Sequence, residues 1–260
     1  MFGHALRVAN DAGFDVPDAL VEKARKGIQY LLDRPTIHDL VTIIHPWETG
    51  CDDSARWDDH CPGGYDRDRW REVKHRLVGE IAAGETSSFV VASVGFNALV
   101  AWNARELSAF DIAFDGLDEL VDAIGRRWNP ELRTWTDPGG GWGTARTLDA
   151  LLATLVDPRP EVFVDLVDPA SYGAPFGPCG IHRNEPTFDP DTYWRGPNWP
   201  QLSYLLSLAS RAAGHNDVAD TLTRSLRSAA SINNFAEYWN PDTGAGGGAS
   251  PQTWTALALV

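Results

Sequence analysis

Fifteen residues, HPWETGCDDSARWDD at 45–59, carry five carboxylates (Glu48, Asp52, Asp53, Asp58, Asp59), two tryptophans and one arginine. Three chemistries compete for such a stretch. A diphosphate–magnesium site wants carboxylates at i, i+1 and i+4 on a helix, but the position four after Asp52 is Arg56, a cation where a metal ligand would sit. A solvated acidic loop needs neither the His-Pro-Trp that precedes the acids nor the Arg-Trp among them. A general acid or base held between aromatics fits best. A carboxyl group gains proton affinity from partial desolvation and from a nearby negative charge. Trp47 and Trp57 can supply the first, Glu48 and Asp53 the second.

An acid of this kind wants a second carboxyl group. Glu237, beside Tyr238 and Trp239 in FAEYWNPDTGAGGGASPQTWTA (235–256), is the candidate, and a plain helix-end residue is its alternative. Asn-Pro-Asp-Thr-Gly is a turn signal, in which Asp242 belongs to the turn, and Gly246–Gly248 permits close backbone approach to a ligand. A third cluster, TFDPDTYWRGPNWP (187–200), surrounds Arg195 with Tyr193, Trp194 and Trp199. Rings beside a cation suit a sugar bearing an anionic group, with the rings stacking and the guanidinium taking the carboxylate. They equally suit an arginine pinned between tryptophans to hold a loop.

Composition narrows the partners. The chain has 260 residues, with 22 Lys and Arg against 36 Asp and Glu, for a net charge of −14. That excess of acid argues against nucleic acid or an anionic membrane surface, since phosphate binding needs the opposite balance. No apolar run approaches the ~18 residues of a membrane helix, and the first residues lack a secretory pattern. Three cysteines are too few for a disulfide framework, and the histidines lack metal-ligand spacing, so no metal or cofactor is expected and a reducing cytoplasm is the default. Eleven tryptophans suit either a Trp-rich core or flat walls for sugar rings.

The elements that must position these residues are helical. Apolar periodicity predicts helices from the first residues onward, then over 18–34, 66–83 (stripe Trp70, Val73, Leu77, Ile81), 95–110, 117–128, 145–156, 199–213 and 217–231, with a last one beginning near Gln252. No sustained alternation argues for a sheet. Between the helices lie long segments, 36–65, 129–144, 168–197 and 233–251. Loops of that length inside a compact domain are usually functional. The expectation is one all-α domain over 1–260 with aromatic, acidic loops at one end.

The three motifs, in this order, resemble those of glycoside hydrolase family 63 and its trehalase relatives. WETGCDDSARWD resembles the family's acid motif, usually Glu-Ser-Gly, one variable residue, then Asp. YWRGPNWP and EYWNPDTG are similar to two further signatures, and within the family the likeness is greatest to bacterial mannosylglycerate and glucosylglycerate hydrolases. The resemblance implies an (α/α)6 toroid and an inverting mechanism on a small α-linked glycoside, needing no cofactor. Asp52 would be the general acid and Glu237 the general base, roughly 6.5–9.5 Å apart to admit a water. Gly50, Tyr193, Trp194 and Gln252 would hold the sugar or the glycerate, and Trp47, Arg195 and Trp199 would shape the pocket. Thr49 stands where Ser is usual, and the stretch between the first two motifs is shorter than in the family. Six hairpins need about twelve helices against about ten legible here, which points to a truncated N-terminus and an incomplete toroid. A trehalase-like or trimming α-glucosidase, or an inactive sugar-binding fragment, are the alternatives.

Overall fold

The structure, a computed structural model, describes residues 2–61 and 63–260. Among them eight α-helices form: α1 (Phe2–Asp11), α2 (Asp18–Leu32), α3 (Arg67–Ala82), α4 (Val94–Glu106), α5 (Leu117–Gly125), α6 (Pro160–Asp165), α7 (Pro200–Ala212) and α8 (Asn216–Ile232). Two of them are central. Nine of the thirteen residues of α4 are buried, and eight of the thirteen of α7, which no single apolar stripe would allow. α8 instead shows one stripe, Ala219, Leu222, Leu226, Ala229 and Ala230, and lies antiparallel against α7 after the tight Gly214 turn. The main core joins α4, α5, α7 and residues 148–156. Close approach is built into the sequence at Gly95, where a β-carbon would lie 2.4 Å from the Asp149 carbonyl oxygen.

Helix ends follow local chemistry. Asp66 caps α3 by accepting from the Arg69 amide at 2.9 Å, Ser93 caps α4, and Pro200 opens α7. The stripe on α3 is shifted from the expected one. Trp70, Lys74 and Leu77 are buried, whereas Ile81 is exposed, because α3 turns a cation toward the acidic loop.

Two expected helices are absent. Of residues 145–156 only Ala150–Leu155 coils, as a 3₁₀ turn. The preceding residues are drawn into extended pairing with the 180–182 segment, where Leu148 donates to Gly180 O at 2.8 Å and His182 to Arg146 O at 2.8 Å. The C-terminal segment Thr253–Leu259 is likewise 3₁₀. The long segments are ordered by three two-residue hairpins: β1 (Thr36–Ile37) with β2 (Leu40–Val41), β3 (Trp128–Asn129) with β4 (Thr134–Trp135), and β5 (Tyr238–Trp239) with β6 (Gly246–Gly247). No described helix is long and apolar enough to cross a membrane.

Candidate active site

The acidic loop is a succession of short turns, each closed by its own side chains. His45 starts the first, accepting from the Trp47 amide at 3.1 Å while its other ring nitrogen donates to Lys74 O of α3 at 3.1 Å. The Thr49 hydroxyl donates to Pro46 O and accepts from the Cys51 amide, so threonine closes the turn that serine would. Gly50 then reverses the chain at φ 72°, a conformation costly for any residue with a β-carbon.

Four of the five carboxylates that follow are committed to structure. Glu48 pairs with Arg34 at 2.6 Å and accepts from the Ile44 amide. Asp53 bonds Lys74 and, at 3.0 Å, the Tyr65 hydroxyl. Asp58 takes both arms of Arg195 at 2.7 Å each, and Asp59 accepts from the Trp142 amide at 2.9 Å. Asp52 is left facing a cavity of about 340 Å³. Burial raises its proton affinity first, with Lys74 and His45 acting against burial and Asp53 with it. Glu48, expected to supply negative charge beside the acid, is turned away to Arg34. Trp57 pins the loop from behind, its indole donating to Cys51 O at 2.8 Å, and Trp47 is the aromatic that lines the cavity, 47% exposed.

Glu237 lines the same cavity from the opposite motif. It lies just before β5, with its amide bonded to Ala249 O at 2.8 Å and its carboxylate accepting from the Ala249 amide at 2.9 Å. The Trp254 indole donates to its carbonyl at 3.0 Å. A β-carbon at Gly248 would lie 2.4 Å from a Glu237 carboxylate oxygen, so the glycine run is what lets this strand pass the acid. Tyr193 lines the cavity together with the two carboxylates. Burial raises the affinity of its phenol for the proton, and the charges of both Asp52 and Glu237 add to this.

The other sequence candidates lie behind this wall. Trp194 and Trp199 are buried and stacked 3.8 Å apart at 7°, and Trp199 packs edgewise on Tyr193 at 5.1 Å, so the pair backs the tyrosine. Arg195 is 2% exposed, clamped on Asp58 and set 3.8 Å over the Tyr65 ring. Its guanidinium is held by Asp58 and by the Tyr65 ring, where the loop-pinning alternative expected tryptophans, and it does not line the cavity. Gln252 bonds the next amide and opens the last 3₁₀ turn.

Sequence reasoning missed the cationic wall. Arg67, Arg71, Lys74 and His75 of α3 all line the cavity. Their spacing of 4, 3 and 1 places them on one helical face, a signal hidden because three other charged residues, Asp68, Arg69 and Glu72, are interleaved among them. A larger concavity of about 410 Å³ lies at the C-terminal ends of α4 and α7. Its one carboxylate, Glu106, is already bonded to His4 at 2.9 Å, so it offers no acid/base pair.

Two carboxylates from distant segments, Asp52 and Glu237, the first partly desolvated, thus line one cavity together with Trp47 and Tyr193. The profile of the mannosylglycerate hydrolase MGH1-like glycoside hydrolase domain matches residues 6–255. The chain belongs to this family. A mannosylglycerate hydrolase of Thermus thermophilus is 26% identical over 268 residues, covering 85% of this chain and 64% of the relative. A glucosylglycerate hydrolase of Mycolicibacterium hassiacum is 27% identical, over 85% of this chain and 61% of its own length. The chain thus spans about three fifths of the length of the curated relatives it matches. The crystal structure of a GH63 mannosylglycerate hydrolase from Thermus thermophilus in complex with Tris superimposes with a TM-score of 0.79 at 23% identity. It covers 99% of this chain and 74% of that one. The complex of that enzyme with Tris and D-glycerate gives 0.75 at 23% identity. The shared fold is of the (α/α) toroid type, with α4 and α7 among its buried inner helices and α8 outside.

Proposed function

We propose that the chain hydrolyses a small α-linked glycoside of glycerate, glucosylglycerate or mannosylglycerate, with inversion of configuration. Asp52 protonates the glycosidic oxygen as the bond to the anomeric carbon breaks. Glu237 takes a proton from the water that attacks from the opposite ring face. Asp52 ends as the carboxylate and Glu237 as the acid, and solvent restores both. The observation that carries this reading is that, of the five clustered carboxylates, only Asp52 and Asp53 line the cavity that Glu237 also lines, and Asp53 is engaged by Lys74 and Tyr65. Trp47 and Tyr193 supply apolar faces for the sugar. Arg67 and Arg71 supply positive charge for the glycerate carboxylate inside a molecule of net charge −14, and His75 lies beside them. Gly50, Trp194, Arg195, Trp199 and Gln252 act by shaping and stiffening the walls. The substrates named for the relatives support the aglycone, and three buried free thiols support a cytoplasmic setting.

The test is proton NMR of the protein incubated with α-glucosylglycerate and with α-mannosylglycerate. The β-anomer of the released sugar should appear first, and Asp52→Asn and Glu237→Gln should each lower turnover by about 10²–10⁴-fold. Early release of the α-anomer would overturn inversion. Faster turnover of trehalose than of either glycerate glycoside would move the reading to a trehalase-like enzyme.

A further inference from the structure

The turn that carries Asp52 brings two adjacent carboxylates and an ammonium group together in a largely buried place. The side chains of Lys74 and Asp53 are 10% and 2% exposed, and Lys74 Nζ bonds Asp53 Oδ1. The other Asp53 oxygen accepts from the Tyr65 hydroxyl at 3.0 Å, so neither oxygen is left over for substrate. One helical turn before Lys74, the Trp70 indole donates to the Asp52 carbonyl at 2.8 Å. α3 therefore grips the turn by its backbone and by its charge.

We propose that Asp53 and Lys74 are positioning residues that form a charge-compensated pair beside the general acid: Asp53 withholds the ammonium charge of Lys74 from Asp52, and Lys74 withholds that of Asp53. The proposal rests on the reading of Asp52 as the acid. An unscreened charge of either sign within ~4–6 Å moves a carboxyl titration by about one to three pH units. Lys74 alone would strip Asp52 of the proton it must deliver, and Asp53 alone would hold that proton too tightly to release. Paired, they leave burial as the dominant influence, which is the order of effects found at Asp52. The other ionisable groups facing Asp52 are the same in every variant below. They are His45 on the loop, Arg67, Arg71 and His75 on α3, Tyr193 from its loop, and Glu237 and Tyr238 on the far wall.

The experiment follows the Asp52 carboxyl carbon by NMR during a pH titration of the full chain labelled with ¹³C-aspartate. The resonance is identified by its loss in Asp52→Asn. Asp53→Asn should move the midpoint down, and Lys74→Met should move it up, each by about one pH unit or more. The double variant should return it to within about half a unit of the parent. Shifts of one sign in both single variants, or unmoved midpoints with lost thermal stability, would mean a merely structural role and overturn the proposal. Should Lys74→Met, which leaves Asp53 buried without a cation, fail to fold, the fall in Asp53→Asn and its reversal in the double variant decide the matter. The titration needs no turnover, so failure of the hydrolysis assay leaves it intact. Where hydrolysis is observed, the alkaline limb of kcat/KM should move in the same directions as the midpoint.

Discussion

Asp52 sits where a carboxylate is uncomfortable, and that discomfort has a pH signature. Burial raises its proton affinity in the folded chain above the ordinary carboxylate value. The folded state therefore holds the proton more tightly than the unfolded state, and stability falls as pH rises through the interval between the two values. Asp52→Asn removes a carboxylate that costs stability only once ionised. The variant should show a higher Tm than the parent at pH 7.5, with the gain shrinking toward about pH 3, below the ordinary carboxylate value, where the aspartic acid is largely protonated in both states. Thermal unfolding at the two pH values checks this, and an equal difference at both would show that Asp52 carries no burial penalty. The residue proposed as the general acid is thus expected to be a local sacrifice of stability.

At the scale of elements, glycines mark where backbones meet. Gly95 lies in the first turn of α4, and a β-carbon there would come within 2.4 Å of the Asp149 carbonyl oxygen. Gly79 in α3 has nothing within 4 Å of the same position. Alanine is the better helix former by roughly 0.8–1 kcal/mol in both helices. Gly79→Ala should therefore stabilise by about that amount, whereas Gly95→Ala should destabilise by about 1–3 kcal/mol because the neighbouring backbone must move. Urea unfolding distinguishes the two, and stabilisation by Gly95→Ala would mean that the 148–151 segment yields easily. Helix periodicity located α2, α3, α4, α7 and α8 within a few residues, since an amphipathic stripe or an apolar run is a property of the chain itself. It failed at 145–156, where the amides of Leu148 and His182 are paired across to the 180–182 and 146 backbones. No local pattern announces that pairing.

For the whole molecule, the apolar core is divided. The main cluster binds α4, α5 and α7 to residues 148–156, while α3 packs through Trp70 and Leu77 on a separate cluster with Ile43, Trp57 and Phe89. Amide hydrogen exchange should accordingly show α4 and α7 opening only with global unfolding, and α3 opening at a lower free energy. Equal protection of the three would mean that the cationic wall and the inner helices unfold as one unit. The division has a functional side. The helix that carries Arg67, Arg71, Lys74 and His75 to the cavity is anchored to the acidic loop through Trp70 and Lys74.

The sequence by itself determined the helical class and the three motifs, because residue type, periodicity and turn chemistry are written along one dimension, while the proposed pairing of Asp52 with Glu237 rests on the resemblance of those motifs to the family's. It also placed Tyr193 and Trp47 among the aromatic candidates. What it left open was which charges face one another. Arg195 stands beside three aromatic residues in the chain, but Asp58, 137 residues away, takes both of its arms. Glu48 is four residues from Asp52, yet it is held by Arg34. Arg67, Arg71 and Lys74 of α3 join the site only because the helix lies against the loop. An ion pair forms where two long side chains meet in space, and the free energy of burying a charge depends on that meeting. Only the tertiary structure decides it.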